Sequence, residues 1–250
     1  AELSAAGMAP STAARRLSAI RQLHRVLYLE DLRPDDPTTT LEGPRRRRPL
    51  PRLLAEEQVD ALLRAAAERT SPEGLRLRAL LELLYGTGLR ASELVGLPLS
   101  ALAADRTHLV VRGKGNRERM VPSGTAARDA LAAYLPARAS FLANGRAGHR
   151  YLFPSNGRRG HLTRQRLDQL LRELAGEAGL DPGSVSAHVF RHAFASHLLA
   201  RGADLRAVQL LLGHADIAAT EIYTHVQGER LAQVVREHHP LAGGAPGPEE

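Results

Sequence analysis

The chain has 250 residues, 43% of them hydrophobic, which is enough for one large domain or two smaller ones with a proper core. It contains no cysteine, which excludes disulfides, cysteine-zinc sites and thiol catalysis, and no apolar run approaches the ~18 residues needed to span a bilayer. A net charge of +7 favours a polyanionic partner, nucleic acid first, and the low aromatic content of 4% suits a grip on duplex phosphates better than base stacking.

In chain order, residues 11–29 read as an amphipathic helix capped at Ser11 or Thr12, with Leu17, Ile20, Leu23 and Leu27 on one face. Arg21 and Arg25 sit one turn apart on another face, either solvated or set against DNA. Residues 33–53 hold five prolines and the run Arg45, Arg46, Arg47 and Arg48, which break regular structure. This is an extended linker whose arginines either keep it soluble or form a basic strap for a phosphate backbone. Helices are expected over 54–68 and 75–85, the second stopping at Gly86-Thr-Gly-Leu-Arg90. Short strands at 108–111 and 118–122 flank a Gly-Lys-Gly-Asn turn, a hairpin signal. Further helices are expected over 123–135, 163–178, 189–201, 204–212 and 216–223. A last one over 228–239 presents Leu231, Val234, Val235 and His238 on one face, ahead of a flexible tail over 241–250. The fold class is therefore mainly α with a small antiparallel β-sheet.

The residues that carry chemistry are scattered along this series: Arg90, Lys114, His188, Arg191, His214 and Tyr223. Two guanidiniums can hold the non-bridging oxygens of a phosphate, and two imidazoles can donate hydrogen bonds or move a proton. A tyrosine can attack phosphorus, and a lysine can protonate the departing oxygen. Such a set performs phosphoryl transfer without a metal or other cofactor. Each member has a plainer reading. Arg90 can cap a helix or pair with Glu93, His214 can begin a helix, and Tyr223 can be packing. His188 and His192 lie at i, i+4 as metal ligands do, but the Glu of H-E-x-x-H and a nearby carboxylate are missing. His197 reads as a buried, hydrogen-bonded structural residue. Lys114 is the single lysine beside thirty-three arginines. A guanidinium keeps its proton at any working pH, whereas an ammonium can give it up.

Order and spacing unite these residues. The stretches "GTGLRASEL", "GKGNRER", "HVFRH", "LLGH" and, nine residues after that histidine, "IYTHV" follow one another between residues 86 and 226. In them the chain resembles the tyrosine recombinase (phage integrase-like) family, within it the XerC/XerD chromosome-dimer recombinases, on the XerD side. The resemblance implies that residues 1–40 are the C-terminal part of a helical, SAM-like core-binding domain, truncated at its start. It implies a linker over 41–53 and a catalytic domain over 54–240 that includes the helix 228–239. It also implies that this helix docks into a neighbouring protomer. Arg90 and Arg191 then hold the scissile phosphate, Tyr223 forms a 3′-phosphotyrosyl bond, and His188 accepts its proton. His214 bonds a non-bridging oxygen, Lys114 is the general acid, and Glu93 orients the basic cluster. The partners implied are a duplex recombination site, a paralogous recombinase in a tetrameric synaptic complex, and a septal DNA translocase, in a cytoplasmic, nucleoid-associated setting without a membrane. The same residues leave open a phage or mobile-element integrase, a type IB topoisomerase-like enzyme, and a DNA-binding protein that does no chemistry.

Overall fold

The computed structural model describes residues 8–43, 53–113, 118–142, 149–213 and 225–242. The chain divides into two compact units, Ala1–Pro51 and Arg52–Glu250. The expected helix 216–223, the Lys114 turn, Arg45 to Arg48 and the tail from 243 lie outside the described residues.

The first unit holds α1 (Pro10–Leu29). It begins one residue before the expected start. Pro10 takes the first turn, where its missing N–H costs nothing, and no side chain caps the helix. Arg21 is exposed and donates to the Leu41 carbonyl; Arg25 is exposed as well. Beyond α1, the Asp36 carboxylate accepts from the backbone N–H and hydroxyl of Thr38 at 2.9 and 2.6 Å, fixing a turn.

The second unit is built around a helix buried on every side. That helix is α3 (Pro72–Thr87), whose residues from Ala79 to Thr87 are all buried. The sequence hides its length, because the expected helix covers only 75–85. Pro72 sits in the first turn and the Ser71 side chain accepts from Gly74 N–H at 3.2 Å, so the helix starts earlier. Gly88, at φ +60°, ends it in the left-handed conformation. Around α3 pack α2 (Glu56–Ala67), α5 (Thr125–Ala137) and α7 (Ala187–Ala200). Between α3 and α5 lie the five-residue α4 (Ala91–Val95) and the strands β1 (His108–Arg112) and β2 (Glu118–Pro122). The strands pair antiparallel, with Leu109 opposite Val121 and Val111 opposite Arg119. Side chains alternate across a strand, so Arg119 shares the buried face with Val121.

The remaining helices start where the sequence offers a cap. For α6 (Arg164–Glu177) it is Thr163, for α7 Ser186 and for α8 (Leu205–Leu212) Asp204, each accepting a backbone N–H of the first turn. The last helix, α9 (His225–His238), begins three residues earlier than expected. Leu231 and Val235 are buried in the chain's own core. The end of α9 is pinned too. His239, 4% exposed, accepts the Leu241 N–H on Nδ1 and so donates through Nε2 to the Tyr85 carbonyl at 3.1 Å. His238 Nδ1 bonds the Arg201 carbonyl at 2.6 Å. Arg201 in turn pairs through two bonds with Glu56 at 3.1 and 2.6 Å. Among the described residues, no helix is long and apolar enough to cross a membrane.

Candidate active site

A cleft of about 600 Å³ opens between α4, α7 and α8. Arg90, Ser92, Arg164, His188, Arg191 and His192 form its polar wall, and Ala195, Leu199, Leu205, Val208 and Leu212 its apolar one. Three of the six expected catalytic residues, Arg90, His188 and Arg191, therefore share one cavity although about a hundred residues separate the first from the others. Lys114, His214 and Tyr223 lie outside the described residues.

Local structure explains how each side chain arrives there. The left-handed Gly88 turns the chain sharply at the end of α3, and two residues later Arg90 takes the N-cap position of α4. It is thus not the C-cap that its place after a glycine-rich helix end allows. The pairing with Glu93 is present: Glu93 accepts the Arg90 backbone N–H at 2.9 Å and its Nη1 at 3.1 Å. Arg90 Nη2 donates to the Gly213 carbonyl at 3.3 Å. Arg191 projects from the second turn of α7, one turn after His188. Its Nη1 donates to the Gly88 carbonyl and its Nη2 to the Leu212 carbonyl, both at 2.6 Å. Both arginines are thereby held by backbone oxygens at helix C-terminal ends, where the carbonyl dipoles favour cations.

Burial pulls the Arg191 guanidinium down to about 10, and the charge of Arg90 adds to the shift, so it remains protonated at neutral pH. His188 is exposed on the cleft wall, with its Nε2 at 2.9 Å from Nε2 of His192. Burial, then the neighbouring His188 and Arg191, hold His192 below the usual imidazole range. Neutral at working pH, it is suited to accept a hydrogen bond from His188. His197 is half-buried and bonds the Tyr85 hydroxyl at 2.9 Å through Nδ1, the structural place the sequence assigns it.

Sequence reasoning missed Arg119. Its Nη1 and Nη2 reach the two oxygens of Glu93 at 3.0 and 2.7 Å, with both side chains almost wholly buried. Burial pushes the Glu93 carboxyl up, but the bonds from Arg119 and Arg90 outweigh it and leave the group below its ordinary value. The signal was in the hairpin: Arg119 occupies an inward strand position opposite Val111, where a cation needs a partner. Arg164, at the first position of α6, was also passed over although it lines the cleft. Among the described residues no three His, Cys, Asp or Glu side chains gather as metal ligands would.

Geometrically, the site presents guanidinium donors to an open cavity next to an imidazole pair. It can hold a tetrahedral anion and exchange a proton beside it. Residues 52–230 match the phage integrase family. The chain is 52% identical to tyrosine recombinase XerD of Caulobacter vibrioides over 240 residues, 96% of this chain and 79% of that protein. It is 51% identical to tyrosine recombinase XerC of Erythrobacter litoralis, with 96% of this chain and 76% of that one covered. The crystal structure of XerA recombinase superposes with a TM-score of 0.58 at 31% identity, covering 90% of this chain and 76% of the other. The chain belongs to the phage integrase family, as a XerD-like tyrosine recombinase.

Proposed function

We propose that this site-specific recombinase resolves chromosome dimers, cutting and rejoining duplex DNA at a recombination site through a 3′-phosphotyrosyl intermediate. Arg90 and Arg191 bind the non-bridging oxygens of the scissile phosphate and offset the charge that builds on them. The Tyr223 hydroxyl attacks phosphorus and passes its proton to His188. The bond from phosphorus to the 5′ oxygen breaks, and that oxygen takes a proton from Lys114. His214 hydrogen-bonds a non-bridging oxygen as the negative charge grows. The ester energy stays in the tyrosyl phosphate, so attack by a 5′-hydroxyl of a partner duplex reseals the strand without a nucleotide cofactor.

The observation that carries this reading is the convergence of Arg90, Arg191 and His188 on one open cleft, with no carboxylate among the described residues that line it. Glu93, the acidic residue beside them, is turned away into its two arginines. A negatively charged substrate is therefore not repelled at the cavity wall. Similarity to both XerD and XerC proteins supports action beside a paralogue, in a synaptic complex of four protomers. A septal DNA translocase as the activating partner, and residence on the nucleoid, complete the proposal. The basic residues Arg21, Arg25 and Arg45 to Arg48 are assigned to the DNA backbone.

The test is a nicked suicide duplex carrying the dimer-resolution site of the source chromosome. Wild-type protein is expected to become covalently linked to the 3′ phosphate, and Tyr223→Phe to lose the adduct while keeping duplex affinity. An adduct that persists in Tyr223→Phe removes this nucleophile. Absence of any adduct with the wild-type chain favours a DNA-binding protein without chemistry. Relaxation of supercoiled plasmid without strand exchange favours topoisomerase-like action.

A further inference from the structure

The polar network under the cleft contains an almost wholly buried cation, Arg119, that the mechanism above does not use. Arg119 is 7% exposed and Glu93 6% on their side chains. Its two Nη atoms occupy one edge of the carboxylate, and Arg90 approaches the same oxygens from the other side through its backbone N–H and Nη1. The Arg119 guanidinium also lies flat beneath Gly213. A Cβ added to that glycine would stand 3.1 Å from its Cζ, Nε and Nη1 alike. Gly213 is the residue whose carbonyl accepts Arg90 Nη2. Arg119 thus supports both of the groups to which Arg90 is tied, one by hydrogen bonds and the other by packing.

We propose that Arg119 is a positioning residue for the recombination reaction, holding Glu93 and Gly213 so that the Arg90 guanidinium meets the scissile phosphate in one fixed orientation. Stability alone does not call for such a residue. A buried ion pair gains little over apolar side chains of similar volume, because desolvation offsets the attraction. The inward position opposite Val111 would accept an aliphatic residue without strain in the hairpin. Geometry does call for it. An unsupported Glu93 would meet Arg90 alone and draw that guanidinium into a two-bond pair, away from the cavity. With both carboxylate oxygens taken by Arg119, Arg90 keeps a single side-chain bond to Glu93 and one to the Gly213 carbonyl, and the N–H groups left over can face a phosphate. A lysine cannot replace Arg119, since one ammonium does not span two carboxylate oxygens in the same plane.

This inference rests on the phosphotyrosyl reading above, and the experiment separates the two. Single-turnover adduct formation on the nicked suicide duplex is measured for the wild type, Arg119→Lys, Arg119→Gln, Glu93→Gln and the double variant Arg119→Lys/Glu93→Gln, together with duplex affinity. Arg119→Lys is expected to cleave about 10- to 100-fold more slowly, with affinity within about threefold of wild type, as for loss of an orienting contact felt mainly in the transition state. Arg119→Gln, which offers one neutral donor to the same carboxylate, is expected to lose at least as much. Because Arg119 acts through Glu93, the double variant is expected to match Glu93→Gln within about threefold rather than multiply the two losses. Cleavage by Arg119→Lys or Arg119→Gln at the wild-type rate overturns the proposal. So do multiplied losses, or a fall in duplex affinity that accounts for the fall in rate. A wild-type chain that forms no adduct overturns the phosphotyrosyl reading instead.

Discussion

Gly88 is where the fold and the cleft share an atom, and Gly88→Ala is the substitution that tests their connection. The residue stands at φ +60° at the end of α3, a conformation that costs an alanine about 1–2 kcal/mol. An added Cβ would also lie 2.4 and 2.7 Å from Cδ1 and Cε1 of Phe194 and 3.1 Å from Leu212. Phe194 is fully buried on α7 and has no room to retreat, so overpacking of about 1–3 kcal/mol adds to the backbone cost. The sum, about 2–5 kcal/mol, corresponds to a melting temperature lowered by roughly 5–15 °C in a chain of this size. Two residues earlier, Gly86 is buried in the same helix but has nothing within 4 Å of an added Cβ. Gly86→Ala is expected to gain about 0.5–1 kcal/mol from helix propensity alone. The Gly88 carbonyl anchors Arg191, so Gly88→Ala should also slow adduct formation more than tenfold at a temperature where it remains folded. Thermal melts of both variants, with single-turnover cleavage at 20 °C, make the comparison. If Gly88→Ala melts within about a degree of wild type, the close approach of Phe194 is wrong; if it cleaves at the wild-type rate, the anchoring of Arg191 through Gly88 is wrong.

Glu82 gives a pH prediction. Burial on α3, with Arg78 lowering the shift and Asp129 adding to it, pushes its carboxyl up to about 7. The folded chain then holds this proton more tightly than the unfolded one, so stability falls as pH rises from about 4.5 to 7, by about 3 kcal/mol for this group. Glu82→Gln is expected to flatten that loss and to melt higher than wild type at pH 8; equal melting at pH 8 would contradict it. His239 acts in the opposite sense. Burial holds it down to about 4, so its contribution is full above the unfolded value near 6.5 and drains away as pH falls from there towards 4. Replacing it with Asn should reduce the loss of stability across that acid window in urea titrations. For Lys114→Ala, cleavage is expected to fall about 10²–10⁴-fold and to recover on a substrate whose 5′ bridging oxygen is sulfur, since a thiolate leaves without a proton. Failure of the sulfur substrate to recover would take the acid role from Lys114.

The sequence carried the helices and the site unequally, and particular residues show why. Thr163 and Asp204 are strong N-cap residues at the head of periodic runs, and α6 and α8 begin where those residues imply. The extent of α3 was harder to see, because a helix buried on all sides has no polar face to set its period. The partnership of Arg90, His188 and Arg191 could not come from any one stretch. Each is ambiguous by itself, and only their order along the chain pointed to a common cleft. Arg119 was overlooked for a different reason. In a chain with thirty-three arginines, a basic residue on a short hairpin passes as surface charge. The strand alternation that turns it inward becomes decisive only once the register against β1 is known. The apolar stripe of α9 told that it would be covered, but not by which chain. Periodicity specifies a face, and the choice of surface depends on contacts such as His239 to Tyr85 that lie far apart in sequence.

The same contacts set the charge of the cleft. Beside Arg164 on the cleft wall, Arg90, Arg119 and Arg191 form a network of three positive charges, and Glu93 is the carboxylate that meets two of them. Two positive charges are left without a counterion in the protein side chains named here, held by the carbonyls of Gly88, Leu212 and Gly213. Neutral acceptors orient a guanidinium without cancelling it, whereas a second carboxylate would have paired with it and closed the site to anions. A phosphodiester carries one negative charge, and the five-coordinate state formed when a phenolate attacks it carries two. Under the proposed mechanism, this excess of positive charge therefore attracts the doubly charged transition state more strongly than the bound substrate, which is the condition for an electrostatic contribution to rate rather than to affinity alone. A carboxylate placed at Ser92, which is exposed on the cleft wall beside Arg90, would offset one of those charges. Ser92→Asp is expected to slow adduct formation by a larger factor than it weakens duplex binding. Equal losses in the two would mean that the arginines bind the phosphate without distinguishing it from its transition state.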